Sequence, residues 1–202
     1  MDNYLIFNGV RYNLIADVTA LANDESPCTK PPRLADIEEG NTCKVGDHEF
    51  IVCEHTENGT VLLLKDLLYE GKSFGENNNY DGSNVDSLCE MFADELEKIV
   101  GKKNIILHTV DLTADDGLKD YGTIERRVSL LTADQCRRYV RILDKYKVKK
   151  WWWLITPYST PTHEDANWIK CVSPHGILSS NYFNSFGVRP FCILNSDIFV
   201  SV

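Results

Sequence analysis

The chain has 202 residues, 43% of them apolar, and a formal net charge of −9. That length suits one domain, or one domain with an appendage, and the apolar share excludes a chain disordered throughout. The acidity argues against a nucleic-acid partner, because phosphate binding needs clustered Lys and Arg and the basic runs here are short.

Tyr4-Leu5-Ile6-Phe7, Asn8-Gly9 and Val10 to Ile15 form a hairpin signal, since Asn-Gly accepts the positive φ of a type I′ turn. Residues 1–22 are therefore read as an N-terminal β-hairpin appendage, used for docking or for homo-oligomerisation, or else as an extra edge on the main sheet. The polar, proline-bearing stretch 23–36 reads as a linker, and the domain proper spans 37–202. Within it, His48 to Cys53 and Thr60 to Lys65 read as meander strands joined through Glu57-Asn58-Gly59.

Ser83 is placed as an N-cap, with Val85, Leu88, Cys89, Phe92, Leu96 and Ile99 at helical spacing and Gly101 as the stop. Residues 111–122 (DLTADDGLKDYG) suggest a calcium loop, but the glycine and the terminal glutamate are misplaced, so the reading is a solvated acidic turn. Thr132 and Gln135 make a capping box for a second helix over 132–146. Trp151 to Ile155, Trp168 to Val172 and Val188 to Leu194 read as three strands, separated by loops rich in Tyr, Asn, Ser, His and Asp.

The segments WWWLITP (151–157), VSPHG (172–176) and GVRPFCIL (187–194) resemble a bacterial and phage domain family with a WWL…GVRP signature. That family is similar to the C-type-lectin-like fold of formylglycine-generating-type enzymes and of the variable proteins of diversity-generating retroelements. The resemblance covers Asp36 to Val202. It implies an α+β, C-type-lectin-like domain, with two helices packed on a small twisted antiparallel sheet. It also implies a phage or prophage source, with virion association left open; the cysteine usage and the lack of a signal-peptide pattern over Met1 to Leu14 predict a protein that is cytoplasmic when made.

Candidate chemistry was weighed on the residues themselves. The seven cysteines (28, 43, 53, 89, 136, 171 and 192) lack CxxC spacing and read as reduced, packed thiols. Cys171 and Cys192 with His163 or His175 are the parts of a nucleophilic site, but the cysteines fall mid-strand and no nucleophile elbow is present. His163, Glu164, Asp165 and His175 lie in adjacent loops, yet the lectin-type calcium tripeptides are absent. No catalytic residue, metal or cofactor is assigned. No window reaches the length of a membrane span, and Met1 to Leu14 lacks a signal-peptide pattern.

What remains is loop chemistry of the kind found in paratopes, where Tyr gives area at low entropic cost and Asn and Ser adapt their hydrogen bonds. The expected ligand-binding residues are Tyr158, His163, Asn167, His175, Asn181, Tyr182, Asn184 and Phe186. The expected function is non-enzymatic binding of a protein or glycan through loops 156–167 and 173–187. An intracellular inhibitor of a host protein and an oxidising enzyme of the formylglycine-generating type are the alternatives. Arg189 reads as a structural cation that meets a carboxylate or backbone carbonyls.

Overall fold

A computed structural model describes residues 31–182 and 184–202, together with two strands nearer the N-terminus. The chain divides into two compact units, Met1–Lys30 and Pro31–Val202. In the first, β1 (Tyr4–Phe7) and β2 (Val10–Asn13) pair antiparallel, with Phe7 opposite Val10. The Asn8-Gly9 turn, linker residues 23–30 and Cys28 lie outside the described residues.

The linker reading ends too late. Leu34 is fully buried and its amide donates to the Ile198 carbonyl, while Arg33 bridges to Phe199. Residues 31–36 therefore belong to the second unit.

That unit opens with the meander β3 (Thr42–Val45), β4 (His48–Thr56) and β5 (Gly59–Leu64), followed by β6 (Tyr69–Ser73). Helix α1 (Asn84–Val100) comes next, then the short strands β7 (Ile105–Ile106), β8 (His108–Asp111), β9 (Thr123–Arg126) and β10 (Val128–Ser129). Two brief helices, α2 (Ala133–Arg138) and α3 (Val140–Lys145), precede β11 (Trp152–Pro157), β12 (Ile169–Val172), β13 (Leu178–Asn181), β14 (Ser185–Val188) and β15 (Phe191–Leu194). One sheet has the order β10-β15-β5-β4-β3, with β7 also on β15; a second has the order β13-β12-β11-β14-β6, and β8 and β9 pair as a separate two-stranded sheet.

This overturns the expected architecture of two helices on one small sheet. Thirteen strands make up most of the regular structure of 31–202, and 22% of the described residues are helical. The fold is β-rich, with curled sheets. Two local features also differ from the sequence expectation. Val188 to Leu194 is not one strand: it breaks at Arg189-Pro190, which carries the chain from the second sheet into the first. The helix over 132–146 breaks at Tyr139 (φ −92°, ψ 15°), although the Thr132–Gln135 capping box forms as read.

Burial explains the unbroken apolar strands. In β5, Leu62 and Leu64 join one hydrophobic cluster, while Val61 and Leu63 join another. Strand β11 does the same, with Trp153 and Ile155 in the first cluster and Trp152 and Leu154 in the second. Strand side chains alternate between faces, so a strand covered on both faces needs apolar residues throughout. The first cluster is closed by α1 through Val85, Cys89, Phe92 and Leu96, the second by Cys136, Tyr139 and Leu143 of the α2–α3 segment.

Helix α1 begins as the sequence indicates: the Ser83 side chain accepts from the Asp86 amide, and Gly101 closes the helix at φ 83°. Phe92 is 1% exposed between Phe50 and His48. Phe92→Ala should cost about 3–5 kcal/mol, and a denaturant midpoint unchanged from the parent would remove α1 from the core.

Candidate functional site

The loop that follows β11 is fastened by one buried amide. Asn78 is fully buried, and its Nδ2 donates to the carbonyls of Ser159 and Trp168, each at 3.0 Å. Its Oδ1 accepts from the Tyr121 hydroxyl at 2.7 Å, and its backbone amide donates to the Ala166 carbonyl at 2.8 Å. Loop 158–168 is thereby tied to both the 74–82 segment and the 111–122 turn.

The 111–122 turn itself abuts this loop rather than standing alone in solvent. The Asp115 amide donates to the Pro157 carbonyl. Ser159 Oγ donates to Asp116 Oδ2 at 2.5 Å, His163 Nδ1 lies 3.0 Å from the same oxygen, and Thr162 donates to Asp120 through both its amide and its hydroxyl. Asp115 receives Arg137 at 2.9 Å and Lys170 at 3.0 Å. Together Asp115, Asp116, Tyr158, Ser159, His163 and Asp165 line an open depression. Glu164 ends the short turn Pro161–His163 at φ 58°, the one described non-glycine residue in the left-handed region.

The carboxylates are held in their charged form. The Ser159 hydroxyl lowers the pKa of Asp116 and the Thr162 hydroxyl that of Asp120. At Asp115 burial acts upward, but hydrogen bonds from Arg137 and Lys170 outweigh it, and the net shift is down. A carboxyl with a lowered folded pKa contributes stability above its unfolded pKa, about 3.9, and loses it as pH falls through the folded value. The denaturation midpoint should therefore drop below about pH 4. Asp115→Asn should flatten that acid limb in a pH series of melts, and an unchanged slope would show that the contacts of Asp115 contribute nothing.

Beyond the last ladder pair, Ile169 opposite Asn181, Trp168 and Tyr182 continue the β12–β13 ribbon with ring centroids 6.1 Å apart. The Tyr158 amide donates to the Trp168 carbonyl, and Lys170 Nζ lies 5.7 Å from the centre of the Tyr158 ring. Tyr158 is 50% exposed and Trp168 44%. The result is a patch of aromatic rings on a pinned backbone, edged by Asp115, Asp116 and Asp165.

The expected binding residues divide accordingly. Tyr158, His163, Asn167 and Tyr182 belong to this end of the β12–β13 hairpin. Asn181 Oδ1 accepts from the Asn184 amide, so that pair shapes a turn. His175 lies on the turn at the other end of the hairpin, where its amide donates to Ser173 Oγ. Phe186 is not a loop anchor: its ring packs 5.4 Å from Trp151 and 4.5 Å from Trp153, against the first core. Missing from the expected set were Asp115, Asp116, Trp168 and Asn78. By sequence Trp168 reads as strand and the aspartates as a solvated turn, and no signal distinguishes Asn78 within the run Asn77-Asn78-Asn79.

The six described cysteines are free and buried. Burial pushes the Cys171 thiol up to about 12 and the Cys192 thiol higher still, whereas a nucleophilic thiol needs a lowered pKa. Among the described residues no group of three or more His, Cys, Asp and Glu side chains is arranged to hold a metal ion. Nor is any described helix long and apolar enough to cross a membrane.

No curated protein and no solved structure matches the chain. Residues 58–196, which run from the turn before β5 to just past β15 and include both the aromatic patch and Arg189, match a family described as "Domain of unknown function (DUF6273)". That match covers well over half of the 202 residues, and the chain belongs to this family.

Proposed function

We propose that the domain is a non-enzymatic binding module that takes a protein or glycan partner on the face formed by Tyr158, Trp168 and Tyr182. The observation that carries this reading is the half-exposed pair Tyr158 and Trp168 on a loop whose backbone is held by the buried Asn78 amide. Exposed aromatic side chains on a preorganised backbone bind with little ordering cost, and Trp and Tyr dominate interface hot spots. The carboxylates of Asp115, Asp116 and Asp165 along the edge favour a partner with hydrogen-bond donors, such as a sugar hydroxyl face or a basic protein surface. The alternative use, inhibition of an intracellular protein, would employ the same face.

Glycan-array and pull-down binding with a Trp168→Ala, Tyr182→Ser double variant tests this. Partner binding should weaken by about 2 kcal/mol or more, with the melting temperature near that of the parent. Undiminished binding would place the functional surface elsewhere.

A further inference from the structure

We propose that the cleft between the α2–α3 segment and the β12–β13 turn binds a small apolar monocarboxylate, whose charged head is taken by the Arg189 guanidinium. The inference is independent of the aromatic face, because this cleft lies at the opposite end of the hairpin and shares none of the three aromatic residues.

The cleft holds about 290 Å³ and is walled by Val140, Leu143, Val148, Trp152, Val172 and Leu178. That volume sits at the small end of ligand clefts, about 300–1,000 Å³, so a short chain or a single ring fits and a long lipid does not. Arg189 also lines it, although the residue is only 1% exposed.

The guanidinium is only partly satisfied. Its Nε donates to the Leu64 carbonyl at 2.9 Å, and Nη2 to the carbonyls of Lys65 at 2.7 Å and Tyr146 at 3.2 Å. The charge stands 5.3 Å from the centre of the Trp152 ring. Nη1 has no hydrogen-bond partner among the described residues. Arg189 lines the cleft, and Nη1 carries two N–H donors that no described residue accepts.

The charge itself has no partner at ion-pair distance among the described residues, and Asp66 acts on it only from farther away. Burial lowers the Arg189 pKa to about 10, which leaves it cationic at neutral pH. The other charges at the cleft are engaged: Lys147 pairs with Asp144 at 3.0 Å, and Arg137 with Asp115 and Asp134. A buried cation without a counter-charge is costly, and charge-assisted hydrogen bonds to a carboxylate are among the stronger ones available. One negative charge matches the single cation, whereas a dianionic phosphate would bring a second charge into apolar walls with nothing to pair it. The apolar walls select the rest of the ligand.

Calorimetry on the full chain with octanoate and phenylacetate, each against its primary amide, provides the test. Both acids should bind at least about tenfold more tightly than the matching amide, the difference one strong charged hydrogen bond supports. Val140→Glu lies at a half-exposed helical position on the cleft wall, so it should keep the fold while repelling the acid and weakening it by a similar factor. Arg189→Met, which removes the cation, should abolish the acid preference; if that variant does not fold, Val140→Glu decides alone. Equal affinity for acid and amide, acid binding unaffected by Val140→Glu, displacement of the acid by equimolar inorganic phosphate, or no binding of either acid at millimolar concentration would each overturn the proposal.

Discussion

Asn78→Ala should destabilise the protein by about 3 kcal/mol, a large effect for a single polar side chain. The substitution leaves the Ser159 and Trp168 carbonyls and the Tyr121 hydroxyl without their partner. A buried polar group left unpaired costs about 1–3 kcal/mol, more than a typical hydrogen bond contributes. Asn78→Asp separates the contributions, because it keeps an acceptor for Tyr121 and loses both donors to the loop. Denaturant melts should rank the parent above both variants. Amide exchange within 158–168 should accelerate most, since this loop is where the lost bonds converge. If exchange there were unchanged, the loop would be held by other contacts and the preorganisation argued for the aromatic face would fail.

Two adjacent arginines should behave differently. Arg126 donates to Asp86 through Nε and Nη2, each at 2.8 Å, and to Asp81; the Asp86 side chain is 5% exposed. Arg126→Met removes the counter-charge of a buried carboxylate, a loss of about 3–5 kcal/mol. Its neighbour Arg127 contacts Glu90, Asp94 and Glu97 along one face of α1, and these carboxylates are 31–66% exposed, against 5% for Asp86. Arg127→Met should cost about 1 kcal/mol, as expected for solvated ion pairs. Denaturant midpoints of the two variants would expose the gap. Equal losses would mean that burial of Asp86 does not set the cost, and adding Asp86→Asn to Arg126→Met should recover part of it.

Much of this fold could be read where the physics is local. The cap at Ser83, the capping box at Thr132 and the stripe from Val85 to Leu96 depend on neighbours within a few residues, and each is present. The architecture depended on what was not local. The run from Val188 to Leu194 carries no mark that its two halves serve different sheets, because both halves are buried. Gly187 pairs with Trp152 beneath Leu67, where an added Cβ would lie 2.3 Å from that side chain, and the sequence alone does not show that close approach. The candidate surface was legible in its tyrosines. It was illegible in Asn78 and in the aspartates of 111–122, whose roles come from partners some 40 to 90 residues away.

Arg189 illustrates the same limit from the other side. Its reading as a cation on backbone carbonyls is met by Leu64, Lys65 and Tyr146. Nothing in the string Gly187-Val188-Arg189-Pro190 reveals that the side chain would line a cleft.

The alternation of strand β11 has a spectroscopic consequence. Trp152 and Trp153 are consecutive in the chain, yet each is embedded in a different hydrophobic cluster. Trp153 also donates from Nε1 to the Lys72 carbonyl, whereas Trp152 faces the Arg189 charge. Two neighbouring fluorophores thus sample distinct interiors, with separate polarity and separate quenchers. Variants retaining only one of them would act as built-in probes, and a difference between their emission transitions would time the loosening of one half of the molecule against the other.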